Sequence, residues 1–428
     1  MYQESSRKIE WISQVSSKKR CYRAGKQGSG VCFHLFSKAR KLGPLIPELT
    51  RIQLYELILQ IKLLDTSDPV KHFLTHSIDP PNVETIDNAV QLLKQIDALD
   101  ETSNITELGQ HLVDLPIDPR LGKMILYAVV LKCLDPILTI ACALTFNDSF
   151  IEASPCIARE VINTRCKFAA GLRSQLLGQL RATGFVRARG GSDIRDLNLN
   201  SENWAVVKAA VCVGMHPNIA QVDRCKKIIR ISQNEKLQFH PSSVLTKDSC
   251  GKELGNNHAI DNLPSDWIMF NEKINGDDGM IATCCTCVTS VCVALFTGTS
   301  SLTEAEYVSG PTSGIYDDDC SSDNESDEIN KLAIFASSAC IRLIMDPVFA
   351  GMLAQIRTRW NSLFARRIRN PSKPWQPDDE AMLSAVINIL TSEEDTLKLM
   401  QPSGIGQRPR PAAQDDVDRT RCFVNKSS

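Results

Sequence analysis

Residues 118–146 read Asp118-Pro119-Arg120-Leu121-Gly122-Lys123-Met124-Ile125-Leu126-Tyr127-Ala128-Val129-Val130-Leu131-Lys132-Cys133-Leu134-Asp135-Pro136-Ile137-Leu138-Thr139-Ile140-Ala141-Cys142-Ala143-Leu144-Thr145-Phe146. This stretch predicts two strongly apolar helices, 119–133 and 135–146, joined at Asp135-Pro136. Proline is acceptable there because a first-turn N–H has no helical partner to lose. Upstream, Ile52, Leu54, Leu57, Ile58, Ile61 and Leu63 fall at helical spacing and predict a helix over 50–64. Asp79-Pro80-Pro81 breaks the chain. Ile86, Ala89, Val90, Leu92, Leu93 and Ile96 then line the apolar side of a second helix, with Asp100 and Ser103 at its exit. Ile105-Thr106-Glu107-Leu108-Gly109 leads on to Leu115-Pro116-Ile117. Helix, helix and a short β-like connection is the pattern of a winged helix.

Downstream, residues 172–183 predict a short basic helix, Arg187-Ala188-Arg189-Gly190-Gly191 a basic turn, and 202–214 a helix containing Trp204. From Lys227 the period changes to two. Lys227–Ile231, Leu237–His240, Trp267–Phe270 and Val291–Phe296 read as short strands between turns. They suggest a small β-barrel of the oligonucleotide-binding kind. Near the start, Gly30–Phe36 reads as one more short strand. Residues 332–369 and 378–391 read as helical, and the Pro-rich polar tail from Gln401 as disordered. The expected fold class is therefore mainly α with a small β-barrel, a multidomain α+β chain.

At 428 residues, 43% apolar and 23% charged, the composition is that of an ordinary globular protein of two or three domains. No apolar run approaches ~18 residues, so no membrane span is expected. Met1–Ser5 lacks the order of a secretion signal. The sixteen cysteines, scattered through apolar patterns, then read as reduced thiols of a cytosolic or nuclear protein. The net charge of −2 hides strong segregation. Residues 1–43 hold ten basic against two acidic residues, and 161–240 hold thirteen against five. Residues 357–373 hold six basic and no acidic residue. Any one block suits a solvated face; together they suit a polyanion. Residues 301–330 hold nine acidic and no basic residue. The run around Asp317–Asp323 reads as a disordered linker whose Ser-acidic composition suits phosphorylation.

The chain shows little that could do chemistry by itself. Cys284-Cys285-Thr286-Cys287 contains a C-x-x-C pair, but four tetrahedral ligands need a second pair or histidines at fixed spacing. Its flanks alternate like a strand, so a redox motif opening a helix is not indicated. His34 and His240 have no evident nucleophile beside them. Gly25-Lys26, Gly122-Lys123 and Gly251-Lys252 lack the rest of a G-x-x-x-x-G-K-[ST] loop, and no D-E-x-H occurs. A complete phosphate cradle with its Mg²⁺ carboxylate cannot be assembled.

The N-terminal run Lys19-Arg20-Cys21-Tyr22-Arg23-Ala24-Gly25-Lys26 resembles the last motif of DEAH-type helicases, Q-R-x-G-R-x-G-R. In that family its arginines reach across a cleft to the ATP γ-phosphate, where a planar fork suits phosphate oxygens. The resemblance extends through Pro47-Glu48-Leu49, Leu108–Leu112, Asp118–Met124, Cys133–Ala141, Phe239–Val244 and Trp267–Lys273. Gln175–Gly191, Asn203–Ala210, Pro371–Trp375 and Pro402–Pro411 look most like the member that carries a C-terminal YTH domain. There are departures. Lys19 stands where the family has Gln, Tyr22 where it has Gly, and Lys26 where it has Arg, which keeps the charge but loses the fork. Both ATPase cores apart from this remnant, and the YTH domain, are missing, and the helical ratchet looks shortened.

The resemblance implies a division into 1–42, a remnant of the second RecA-like domain; 43–109, winged helix; and 110–175, shortened ratchet. It continues with 176–300, OB-fold; 301–331, acidic linker; 332–400, C-terminal helices; and 401–428, tail. It implies the RNA-binding module of a 3′-to-5′ RNA helicase that is not catalytic alone, with ATP and Mg²⁺ used only by the full-length family. Arg20, Arg23 and Lys26 are the remnant of the ATP motif. RNA contacts are expected on Arg187, Arg189, Arg195 and Lys208, supported by Arg173 and Arg181. A structural role, with Arg187 or Arg195 paired to Asp193 or Asp196, competes with that reading. Trp204 and Trp267 read as core. The expected partner is single-stranded RNA, with a helicase core or another protein through 332–391, and no membrane. The family implies the cytoplasm, and the nucleus as a second compartment. A protein-interaction scaffold and a non-functional truncated paralogue, splice form or fragment are the alternatives.

Overall fold

The computed structural model describes residues 11–64, 69–145, 155–186, 191–231, 235–241, 243–246, 256–276, 279–298, 307–308, 332–338, 341–345 and 347–397. The expected acidic linker, apart from 307–308, and the tail lie outside them.

Helix α1 (Gln14–Ala24) starts at Ser13, whose hydroxyl accepts from the Ser16 N–H at 3.1 Å. The strand expected over Gly30–Phe36 does not form; the segment is irregular. A strand needs a neighbour for its backbone groups, and among the described residues none runs beside it. Phe33 and Leu35 are left 83% and 97% exposed.

The winged helix is α2 (Tyr55–Leu63), α3 (Val70–Thr75), α4 (Val83–Gln95) and α5 (Glu107–Val113), with an isolated β-bridge between Leu99 and Ile105 as its wing. Helix α2 is shorter than expected, because residues 48–50 form a 3₁₀ turn first. Asn82 and Thr106 cap α4 and α5 through their side-chain oxygens.

The two apolar helices are α6 (Pro119–Val130) and α7 (Leu134–Thr145). Asp118 caps α6 at the Arg120 N–H, and Pro119 takes the first turn. The next helix, α8 (Pro155–Ala182), is one rod of 28 residues rather than the short helix expected over 172–183. It crosses the division drawn at 175. A short α9 (Gly191–Asp196) and the capped α10 (Trp204–Met215) follow. Every described residue of α6 from Pro119 to Val130 except Arg120 is buried. Helices α6 and α10 cross so closely that a Cβ on Gly214 would lie 2.6 Å from Met124 Cβ, which only glycine avoids.

One mixed sheet comes next: β1 (Ile219–Asp223), β2 (Ile228–Arg230), β3 (Lys236–Phe239), then α11 (Asn256–Asp261), β4 (Trp267–Met269), β5 (Glu272–Gly276), β6 (Gly279–Thr283) and β7 (Thr286–Val288). Its order is β5-β6-β3-β2-β1-β4-β7, with only β3 and β6 parallel. The expected barrel does not close among the described residues, since β5 and β7 are the two ends of the order. Strand β7 has three residues before the chain turns into a helix, too few to reach round to β5. Val222, Ile229, Leu237, Phe239, Ile268 and Phe270 form this sheet's own core with Ile260 and Leu263. Cys284, at φ 52°, turns the chain from β6 to β7, so the C-x-x-C pair straddles a turn instead of lying on one strand.

Two further expectations fail in opposite directions. Residues 291–296 are helical, within α12 (Ser290–Phe296), not a strand. Residues 332–345, expected helical, form β9 (Leu332–Ser338) and β10 (Ile341–Met345), which join β8 (Tyr307–Val308) in a small antiparallel sheet. Helices α13 (Pro347–Arg369) and α14 (Pro377–Thr396) complete the fold. A single apolar core runs from Leu54 in the winged helix through α6, α10 and α12 to Leu390 in α14.

Candidate nucleic-acid interface

The expected contacts scatter when placed on the fold. Arg187 and Arg189 lie outside the described residues. Arg181, in the last turn of α8, and Arg195, on α9, are exposed. Arg173 reaches across from α8 to pair with Asp135 at the start of α7. Lys208 is not on the surface. Its Nζ lies 2.9 Å from Glu394 Oε1, with the two side chains 16% and 5% exposed. It ties α10 to α14, which removes it from the set of backbone contacts. Trp267 is buried and Trp204 partly so, as core residues.

The basic stripe at 357–373 is also largely committed to the fold. The Arg357 guanidinium is buried and donates to the carbonyls of Ala294, at 2.6 Å, and Gly298, at 2.6 Å, at the end of α12. Arg366 pairs with Asp379 at 2.6 Å, and Arg369 with Glu107 at 2.7 Å. Arg367 donates to the Lys373 and Pro371 carbonyls, fixing the turn between α13 and α14.

That turn gathers a cationic face that no single sequence block indicated. Arg367 lies 4.7 Å from the centre of the Trp375 ring, and Lys132, from the α6–α7 turn, lies 5.1 Å from it. Lys132 also pairs with Asp196 at 2.8 Å, which pins α9, carrying Arg195, beside it. The Asp135 N–H donates to Asn198 Oδ1, holding the same corner. The Ser372 hydroxyl donates to the Gly184 carbonyl just beyond Arg181. Asp196 and Asp135 offset Lys132 and Arg173, while Arg181, Arg195 and Lys373 are exposed on the segments that these contacts tie together. Such a face offers a polyanion several point charges beside an aromatic ring. Lys132, Arg367, Lys373 and Trp375 are absent from the sequence-based set, because their grouping joins segments more than two hundred residues apart.

At the N-terminus, Arg20 and Arg23 lie on α1 and Lys26 just after it, all exposed. Arg20 borders a hollow formed with Trp11 and Phe33, and the Arg40 guanidinium covers the Trp11 ring at 3.8 Å. Three cations at one helix end provide no backbone cradle and no Mg²⁺ carboxylate, so these residues alone do not fit ATP. Burial pushes the thiols of Cys285 and Cys287 up to about 12 and about 11, so both stay protonated at neutral pH. Among the described residues no His, Cys, Asp and Glu group could hold a metal ion, and no helix is long and apolar enough to cross a membrane.

Helices that form a winged module, an apolar helical hairpin and a sheet of the OB type, in that order, define a helicase-associated region. Four family models match in the same order. The winged-helix part of the helicase associated domain covers 89–117, and its ratchet-like part covers 118–171. The oligonucleotide/oligosaccharide-binding fold covers 207–300, and a C-terminal domain in RNA helicases covers 340–392. The chain is homologous to the C-terminal helicase-associated and OB-fold region of DExH-box ATP-dependent RNA helicases.

Among full-length relatives it is 26% identical to ATP-dependent DNA/RNA helicase DHX36 of Bos taurus, over 91% of this chain and 40% of that protein. It is 25% identical to DExH-box ATP-dependent RNA helicase DExH2 of Arabidopsis thaliana, over 90% of this chain and 28% of that protein. It is 28% identical to protein benign gonial cell neoplasm of Drosophila melanogaster, over 56% of this chain and 25% of that protein. The chain thus spans less than half the length of these relatives.

Proposed function

We propose that this chain is the RNA-binding C-terminal module of a 3′-to-5′ RNA helicase, which grips single-stranded RNA by its backbone and does not hydrolyse ATP alone. The observation that carries the reading is the cationic face assembled from α8, α9, α13 and the turns that follow α6 and α13. Arg181, Arg195 and Lys373 are its exposed contacts. Arg187 and Arg189 belong to the same proposal on their sequence position, and Arg173 supports it from α8. ATP and Mg²⁺ belong to the ATPase cores of the full-length family.

The test is the affinity of the purified chain for single-stranded RNA across a salt series. Each backbone contact contributes about −0.7 to the slope of log affinity against log salt. Replacing Arg181, Arg195 and Lys373 together by Ala should therefore shallow the slope by about 2 and weaken binding more than tenfold at low salt. Binding that ignores the triple change would sink the reading. The same preparation should show no RNA-stimulated ATP hydrolysis; turnover abolished by Arg23→Ala would contradict that part.

The runs 175–191, 203–210, 371–375 and 402–411 favour, within the family, the member that carries a YTH domain. The family favours a cytoplasmic location with a nuclear fraction, which a fluorescent fusion would report. A protein-binding role through 332–391 is the second reading. Exposed Val348, Phe349 and Met352 on the first turns of α13 favour it. It predicts a pull-down that depends on α13 and survives nuclease.

A further inference from the structure

A cavity of about 360 Å³ lies where the winged helix, α6, the end of α12 and α13 meet. Its aromatic side is a stacked pair, Tyr127 and Phe364, with ring centres 3.8 Å apart and planes at 29°. Tyr127 is 7% exposed, and its hydroxyl has no hydrogen-bond partner among the described residues. Asn361, one helical turn before Phe364, adds a side-chain amide that is likewise unpartnered among them. Two neutral hydrogen-bonding groups therefore meet the cavity without a use inside the fold. Neither polar atom is among the fully buried ones left unmet, so both are open to whatever occupies the cavity.

Charge narrows the ligand. Lys123 is 7% exposed on the wall, and its ammonium is held 2.9 Å from Asp97 Oδ2, so its charge is already met. Glu107 lies on the same wall. The Arg357 guanidinium is turned to the carbonyls at the end of α12. A phosphate would find no cation to spare there and two carboxylates near. A flat group with apolar faces and a donor–acceptor edge suits the lining better. The volume is at the low end for ligand pockets, about right for one nucleoside.

We propose that this cavity is a nucleobase pocket, with Tyr127 and Asn361 reading the edge of the base and Phe364 and Leu108 covering its faces. Flipped bases are commonly bound in this way, between apolar side chains and convergent polar groups. The base could come from an RNA strand held on the cationic face, which rests on the function proposed above, or from a free nucleoside, which does not.

The test is saturation-transfer NMR on the full chain, first with adenosine, guanosine, cytidine and uridine singly, then with short oligo(A) and oligo(U) RNA. Ala365→Trp fills the mouth of the cavity from an exposed position on α13, where the fold has no need of the alanine. Asn361→Leu removes the amide. At least one nucleoside should transfer saturation to its base protons, lose the signal with Ala365→Trp, and bind about fivefold more weakly to Asn361→Leu. No transfer from any nucleoside, or transfer unchanged by Ala365→Trp, would overturn the pocket. RNA binding that stays salt-sensitive in that case would leave the function intact. Nucleoside binding without RNA binding would support the pocket and count against the function. Oligonucleotide signals that respond to Ala365→Trp would identify the strand as a source of the base.

Discussion

His216, the residue that ends α10, is buried in a setting that resists its charge. Burial, reinforced by the nearby Lys123 and Arg357 cations, lowers its pKa to about 3 from the usual 6.5. In the unfolded chain the imidazole protonates as pH falls through 6.5; in the folded chain it does not until about pH 3. Stability therefore falls with pH across that window, because the unfolded state binds the extra proton. Between pH 7 and pH 5 the loss should be about 2 kcal/mol. Denaturant unfolding of the native chain and of His216→Gln at both pH values checks it, and parallel losses in the two proteins would refute the assignment. Nothing in the sequence around His216 signalled this, since Lys123 and Arg357 come from distant segments. Lys208 carried the opposite error. It stands in a basic block and reads as a surface contact, yet its partner, Glu394, lies 186 residues away. Of the cations named from sequence, Arg181 and Arg195 are exposed. Charge type is visible in a sequence, but whether a charge is already neutralised is not.

Length did not decide which elements were legible: the 28-residue α8 was read as a short helix, while the three-residue β2 and β4 were found. Helices α4, α6, α7, α10 and α14 and strands β2 to β4 lie close to where period and turn residues put them, while β1 falls where no strand was expected. The run 291–296 misled because a short continuous apolar segment fits either a strand or a buried helix turn. Tertiary contacts decide it. The Thr289 hydroxyl accepts from the Cys292 N–H at 3.3 Å, and Glu393 Oε1 accepts from the Val291 N–H at 3.0 Å. Arg357 holds the carbonyls at the far end. Both ends of α12 are thus secured by side chains, which compensates for the weak helix preference of its β-branched residues. Thr289→Ala should cost about 1 kcal/mol in equilibrium unfolding, and Thr289→Ser should restore most of it. An alanine variant as stable as the native chain would show that the cap is not what selects the helix. Residues 332–345 erred the other way. Their largely apolar composition, broken only by Ser337, Ser338 and Arg342, fits a helix as well as a strand pair, and the helix begins only at Pro347, where a first-turn proline is favoured.

At the scale of the whole molecule, the shared core explains why modules with separate family matches form one body. Tyr127 of α6 stacks on Phe364 of α13, and Phe296 at the end of α12 meets Tyr127 and Trp360 edge-on. The ratchet-like hairpin, whose apolar helices could look unpartnered from sequence, is thereby covered by α10 and by the C-terminal helices. Trp360 is the largest side chain at this junction and is 1% exposed. Trp360→Ala should cost about 3–5 kcal/mol, mostly through the cavity it leaves. Its distribution is the more telling result. If the modules share one cooperative core, native-state hydrogen exchange should speed up by the same factor for the slowest amides of α6, α10 and α12 as for those of α13, because all open in the same global event. Loss of protection confined to α13 and α14 would show instead that the C-terminal helices are a detachable cover. In that case the nucleobase pocket would have a wall that can open independently of the rest.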